Sequence, residues 1–154
     1  MVAVEPLPGT DVIELRSPAF ADYTRMPDWC AFEHDNLPPP LAWGGVPASA
    51  AELVLICEDL DTVDAFVHWV VTGIPPAATD LDGTPGVPGS NGSGDIAWGG
   101  PHPPLGEDVH RYAFHLFATD HRLGLAEGAT AEQAWTALDG HVLASGSLVG
   151  LYVR

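Results

Sequence analysis

Proline and glycine punctuate this chain more than anything else in it. With 15 prolines and 17 glycines among 154 residues, no apolar stretch runs far before a ring or a bare backbone interrupts it. Proline removes a ladder donor and fixes φ, so long helices are excluded over most of the chain. Short apolar runs bounded by such breakers read as strands. They are Val12 to Leu15, Leu41 to Trp43, Ala50 to Cys57, Phe66 to Ile74, His110 to Thr119 and Leu148 to Val153. Asn36 to Pro40 reads as extended chain, since three successive prolines resist both helix and central ladder. Thr79 to Gly106 holds much of the Gly and Pro and reads as one long loop. A single helix is expected where Thr130 and Gln133 form a capping box ahead of Ala131, Ala134, Trp135 and Leu138, with Asp139-Gly140 ending it. No repeat or linker divides the chain, so residues 1–154 read as one domain. The fold class is a β-dominated antiparallel sandwich with one or two short helices near the C-terminus.

Charge narrows the partners. Asp and Glu number 21 against 5 Lys and Arg, a formal net charge of -16. Such a surface repels phosphate backbones and anionic membranes, so nucleic acid is not an expected partner. Met1 to Thr10 has neither a basic nor an apolar region, and no stretch has the length of a membrane span. The chain therefore reads as cytoplasmic. Two cysteines are too few for a disulfide framework. Cys57 lies in an apolar run and reads as a buried thiol, with a single Cys30–Cys57 bridge as the other option.

Four places put polar groups where a plain strand would not. Glu58-Asp59-Leu60-Asp61 follows the most apolar strand, and in extended chain Asp59 and Asp61 share a face. His68 sits inside Phe66-Val67-His68-Trp69-Val70-Val71, with Val67 and Trp69 turned the other way. His110 and Tyr112 share a face that Phe114 carries into the core, while Arg111 and His115 lie opposite. Gly99-Gly100-Pro101-His102-Pro103-Pro104 fixes an unusual backbone path. A solvated carboxylate, a hydrogen-bonded core histidine, a half-exposed strand and a rigid loop would account for each one alone. Together they supply the parts of an oxyanion site: imidazoles beside carboxylates, a phenol and loop N–H groups.

These same places resemble the phosphatidylethanolamine-binding protein family, in its bacterial Raf-kinase-inhibitor-like branch. Ser17-Pro18-Ala19-Phe20, Asn36 with Pro38 to Trp43, His68-Trp69-Val70-Val71 and Ile74-Pro75 match in order. So do Gly100-Pro101-x-Pro103-Pro104-x-Gly106, His110-Arg111-Tyr112-x-Phe114, and the ending from His141-Val142-Leu143-Ala144 to Tyr152. The resemblance implies an antiparallel sandwich with an anion pocket at one end, built on Asp59, Asp61, His68, Pro103, Pro104, His110 and Tyr112. His102, at a family position usually held by Cys or a small residue, adds a third imidazole at the mouth. The resemblance also implies a tendency to dimerise. Departures fall on the pocket rim. Leu60 and Val63 replace two prolines of the family's acidic motif, Gly92 and Ser93 replace an acid and an aromatic, and Trp98 replaces a tyrosine.

The expected function is binding of phosphate or a phospho-head-group such as phosphoethanolamine, without cofactor, metal or catalysis. A module that regulates a kinase or protease is the second reading. A metal-dependent hydrolase is the third: Asp59, His68 and His110 are ligand types for Zn²⁺, but no sequence-local metal motif holds them. Ser145 and Ser147 near His141 have no nucleophile elbow around them.

Overall fold

The structure, a computed structural model, describes residues 11–82 and 85–154. The Met1 to Thr10 stretch, read above for the absence of a secretion signal, lies outside the described residues, as do residues 83 and 84 of the long loop. The strands are β1 Asp11–Val12, β2 Glu14–Arg16, β3 Thr24–Arg25, β4 Leu41–Gly44, β5 Glu52–Asp59, β6 Val67–Ile74, β7 Asp80–Leu81, β8 Val87–Pro88, β9 His110–Thr119 and β10 Val142–Tyr152. A 3-10 turn covers Asp28–Cys30, and α1 covers Ala131–Leu138.

Seven strands form the large sheet in the order β1-β10-β9-β5-β6-β8, with β3 also paired to β10. The small sheet is β2-β4-β7. The central ladder β10-β9-β5-β6 is antiparallel throughout, whereas β1 and β3 join β10 in parallel. The small sheet covers one face of the large one. Ile13, Leu15, Leu41, Trp43 and Leu81 pack there against Leu53, Leu55, Phe114 and Leu116, all buried. Helix α1 covers the opposite face, seating Ala131, Ala134 and Leu138 on Val54, Ile56, Val70 and Phe117. With apolar layers on both sides, β5 and nearly all of β9 are buried along their whole length. A strand covered on both faces reads as a continuous apolar run, which is why these two are so legible.

The helix begins as its sequence requires. Thr130 Oγ1 accepts from Gln133 N at 3.1 Å, and Gln133 Oε1 accepts from Thr130 N at 3.0 Å, completing the capping box. Three expectations need correction. Val12 to Leu15 is not one strand: Ile13 is the pivot by which the chain leaves the large sheet and enters the small one, its N–H donating to Ser145 O. Thr79 to Gly106 is not all loop, because β7 and β8 each finish an edge of a sheet. The last strand starts at Val142, six residues before Leu148, since Ala144 to Ser147 pair with β9 despite weak strand propensity. Cys57 is the buried thiol its apolar run implies, Cys30 is likewise free and buried, and the alternative bridge between them is not formed. Burial pushes the Cys30 thiol up to about 12 and Cys57 well above its ordinary value, so both behave as apolar fillers.

Gly146 lets β1 cross closely: a Cβ there would stand 2.1 Å from Ile13 O. That neighbour is backbone and cannot swing aside. Gly146→Ala is expected to cost about 1–3 kcal/mol. Urea unfolding should show a lower midpoint at unchanged slope.

Candidate functional site

At one end of the sandwich the finish of β5, the starts of β6 and β9, and the loop from Asn91 to Pro104 enclose a cavity of about 850 Å³. Its placement follows from how each element ends. β5 terminates on Asp59, a 3% exposed carboxylate whose two oxygens are both engaged. Oδ1 accepts from Asp61 N at 2.8 Å and closes the turn, while Oδ2 meets His110 Nδ1 at 2.7 Å. Tyr112 lies directly across the ladder from Asp59. His68 reaches the same place through a β-bulge. Cys57 pairs with Trp69 and Glu58 with Val67, so His68 is the extra residue. The bulge breaks the alternation expected from sequence: His68 does not oppose Trp69, and both rings approach Trp98, at 6.5 and 5.5 Å.

The glycine-proline loop is tied down at several points. His68 Nδ1 donates to Gly99 O at 2.6 Å, and Gly99 N donates to His68 O. Gly100 N donates to Asn36 Oδ1 at 2.7 Å, and a Cβ on Gly100 would lie 2.0 Å from Cys30 O. Trp98 Nε1 donates to Cys30 O, and Phe32 N donates to Pro101 O. Arg154 spans Pro103 O and both Glu33 oxygens, pinning the far end. Asn91 shapes the rim, its Oδ1 accepting from Ser93 N and Asp95 N and its Nδ2 donating to Ala97 O.

Seven of the eight residues named from sequence line this cavity: Asp59, His68, His102, Pro103, Pro104, His110 and Tyr112. Asp61 does not. It sits in a turn rather than extended chain, so it shares no face with Asp59. Its carboxylate clasps Arg111 instead, with Oδ2 accepting from Arg111 N and Nε and Oδ1 from Nη2. Those hydrogen bonds hold its carboxyl below the usual carboxylate range. His102 is exposed, its ring 5.2 Å from Phe32. Sequence reasoning missed Glu107, which reaches His110 Nε2 at 3.1 Å, and the walls Phe32 and Phe66. Nothing in the local pattern marks Glu107. Phe66, its ring 5.0 Å from His68, occupies lid space that Gly92 leaves free.

The three central groups differ in electrical state. Burial pushes His68 below the ordinary imidazole value, more than its hydrogen bond to Gly99 restores, so it is neutral at neutral pH. A neutral ring that donates from Nδ1 keeps a lone pair on Nε2. For His110 burial acts the same way, but hydrogen bonds to Asp59 and Glu107 override it and raise the pKa. With a carboxylate at each ring nitrogen, the imidazolium is the form that satisfies both. Tyr112 is fully buried, and its hydroxyl has no hydrogen-bond partner among the described residues. Burial, with the Asp59 charge, holds that phenol well above its ordinary value, so it stays a donor. Asp59 and Glu107 engage opposite nitrogens of His110 and so do not converge as ligands of one ion.

The fold is thus a two-sheet, mainly antiparallel sandwich with a strand-end cavity lined by histidines, a buried phenol and a proline-rich rim. A family model described as "Phosphatidylethanolamine-binding protein" matches residues 16–153. A UPF0098 protein of Methanothermobacter thermautotrophicus is 42% identical, over 92% of this chain and 99% of that protein. One from Pyrococcus abyssi is 34% identical over 95% and 88%. Among solved structures, a phosphatidylethanolamine-binding protein homologue from Chlamydia trachomatis superposes with a TM-score of 0.86 at 34% identity, covering 94% of this chain and 99% of that one. YbcL of Escherichia coli superposes at 0.85 with 23% identity, covering 92% and 98%. The chain belongs to the phosphatidylethanolamine-binding protein family.

Histidine titration by NMR tests the electrostatics. The His110 midpoint should lie above 6.5 and that of His68 below it. Asp59→Asn removes the carboxylate that favours the imidazolium, so the His110 midpoint should fall.

Proposed function

We propose that this chain binds a small phosphate-bearing ligand in the β5–β6–β9 cavity and catalyses no reaction on it. The Tyr112 hydroxyl carries the reading. A buried O–H without a partner costs about 1–3 kcal/mol, and Tyr112 lines the cavity beside His110, whose pKa Asp59 and Glu107 raise. A phosphate oxygen accepting from both would satisfy the phenol and meet the charge. The cavity exceeds what a bare phosphate fills and lies within the usual range for small-ligand sites. Phe32, Phe66 and Trp98 offer apolar wall to a substituent. Asp64 and Asp95 also line it and suit an ammonium, as in phosphoethanolamine.

Glu107 is the obstacle on this reading. Its side chain is 53% exposed and occupies the Nε2 proton of His110 that an anion would take. A ligand must displace it, and an ion pair whose acid is half in solvent is worth less than a fully buried one. Glu107 thus holds the anion position and yields it at small cost.

Calorimetric titration with sulfate, which keeps its charge between pH 5 and 8, isolates the protein's own titration. A raised His110 pKa means the charge is full at low pH and lost as pH rises through the folded value. Affinity should therefore strengthen as pH falls across that range. No heat at either end would sink the proposal. Phosphoethanolamine should bind more tightly than sulfate at equal pH if the aromatic and acidic walls contribute.

Two variants separate donor from competitor. Tyr112→Phe should weaken anion binding about threefold to tenfold without lowering the melting temperature, since the deleted hydroxyl had no partner. Glu107→Gln, assayed at pH 6 where Asp59 still favours the imidazolium, should strengthen it about twofold to fivefold. Unchanged affinity in both would remove the anion from this cavity.

A further inference from the structure

Far along β9 and β10 from the cavity, the chain leaves β9 at Asp120-His121 and returns to β10 through His141. These three side chains meet. Asp120 Oδ1 lies 2.9 Å from His121 Nδ1 and 3.0 Å from His141 Nδ1, and the two imidazoles touch edge to face at 4.2 Å between centroids. Among the described residues this is the one trio of His, Cys, Asp or Glu whose ligand atoms all lie within 4.8 Å of one another. Each side chain is about half exposed, so an ion could enter and water could complete its shell.

The main chain under the trio is fixed. Asp120 N donates to His141 O at 3.0 Å, and His141 N donates to Leu138 O at 2.9 Å. Thr119 Oγ1 donates to His121 O at 2.8 Å, and Leu123 N donates to buried Glu52 Oε1 at 3.0 Å. Donors on pinned backbone lose little freedom when they bind. Tetrahedral ligands at zinc distances stand roughly 3.3 Å apart. The observed oxygen–nitrogen spacings need to open by only a few tenths of an ångström, which half-exposed side chains can supply.

We infer that Asp120, His121 and His141 form a site for one divalent late transition metal ion, with Zn²⁺ the natural probe. Two imidazoles and one carboxylate suit that class, whereas Mg²⁺ and Ca²⁺ prefer all-oxygen shells. Binding forms two metal–Nδ1 bonds and one metal–Oδ1 bond. A neutral ring takes the Nε2–H tautomer, and a charged ring gives its Nδ1 proton to solvent. The acidic surface draws cations to the site rather than repelling them.

The site also has a mechanical consequence. His121 and His141 bracket the excursion that carries α1, so one ion bridges the exit from β9 to the entry into β10. A clamp that binds only the folded chain stabilises it by mass action.

The full chain should take up one Zn²⁺ in a calorimetric titration, and its melting temperature should rise with added Zn²⁺ but not with Mg²⁺. His121→Ala and His141→Ala should each weaken binding at least about tenfold, a loss of 1.4 kcal/mol, and abolish the thermal shift. His34→Ala, at an exposed histidine elsewhere, should change neither. In the wild type, NMR should show Zn²⁺ perturbing the rings of His121 and His141, which keeps the test independent of how the variants fold. No uptake by the wild type, full-strength binding in both variants, or an equal loss in His34→Ala would each overturn the assignment. Loss in His110→Ala with retention in His141→Ala would place the ion in the cavity and overturn it equally.

Discussion

One carboxylate organises the end of this sandwich. Asp59 closes β5 with almost no solvent contact, and both of its oxygens are committed to protein donors. Oδ1 sets the turn through Asp61 N, and Asp59 N itself donates to Phe66 O across that turn. Oδ2 fixes the ring of His110 and supplies the countercharge that outweighs its burial. Breaking a buried pair of this kind costs about 3–5 kcal/mol, because the remaining charge has no water to turn to. The shape of the cavity, the orientation of His110 and its charge therefore share one origin. Asp61, two residues on, resembles it in sequence and differs from it in physics: it faces Arg111 at the surface, where an ion pair contributes little.

The period of two that places Asp59, His110 and Tyr112 on the inner side of the large sheet places a second polar set on the outer side. His115 Nε2 meets Glu58 Oε1 at 3.3 Å, and His115 Nδ1 meets Ser147 Oγ at 3.0 Å. Glu58 is fully buried and its Oε2 has no partner among the described residues. Serine, histidine and glutamate in a row suggest a catalytic relay, but none of the three lines the cavity. Their visible effect is to join β5, β9 and β10 beside Trp135 of α1. Alternation thus gives adjacent residues, Glu58 and Asp59, separate roles on opposite faces.

What the sequence disclosed follows the same physics. β9 was legible to the residue because a strand buried on both faces is mostly apolar, with its polar residues concentrated at the end that reaches the cavity. The helix was legible because Thr130 and Gln133 write its start locally. Strands β7 and β8 have two residues each and carry no periodicity at all. The pivot at Ile13 depends on two sheets that no local window contains. Parity placed His110 and Tyr112 together correctly and misplaced His68 and Asp61, since a bulge and a turn each reset the alternation. Glu107 was illegible for a different reason: its contact with His110 spans three residues in a loop where any polar residue would read as solvated.

The net charge of -16 remains to be squared with an anion in the cavity. Charges separated by more than about 8 Å of saline solvent are largely screened. Most of the acidic residues lie on the exposed surface and act on an approaching anion mainly by slowing its encounter. Within the cavity the balance is set by groups at hydrogen-bond range. His110 is pushed toward its imidazolium by Asp59 and Glu107 against its burial, and Tyr112 keeps its proton because burial and the Asp59 charge oppose its loss. The local acid is therefore what makes the local donors, and it does so while spending its own oxygens on protein N–H groups. An acidic protein can hold an anion on these terms when its buried carboxylate is already occupied, and Asp59 is occupied at both oxygens.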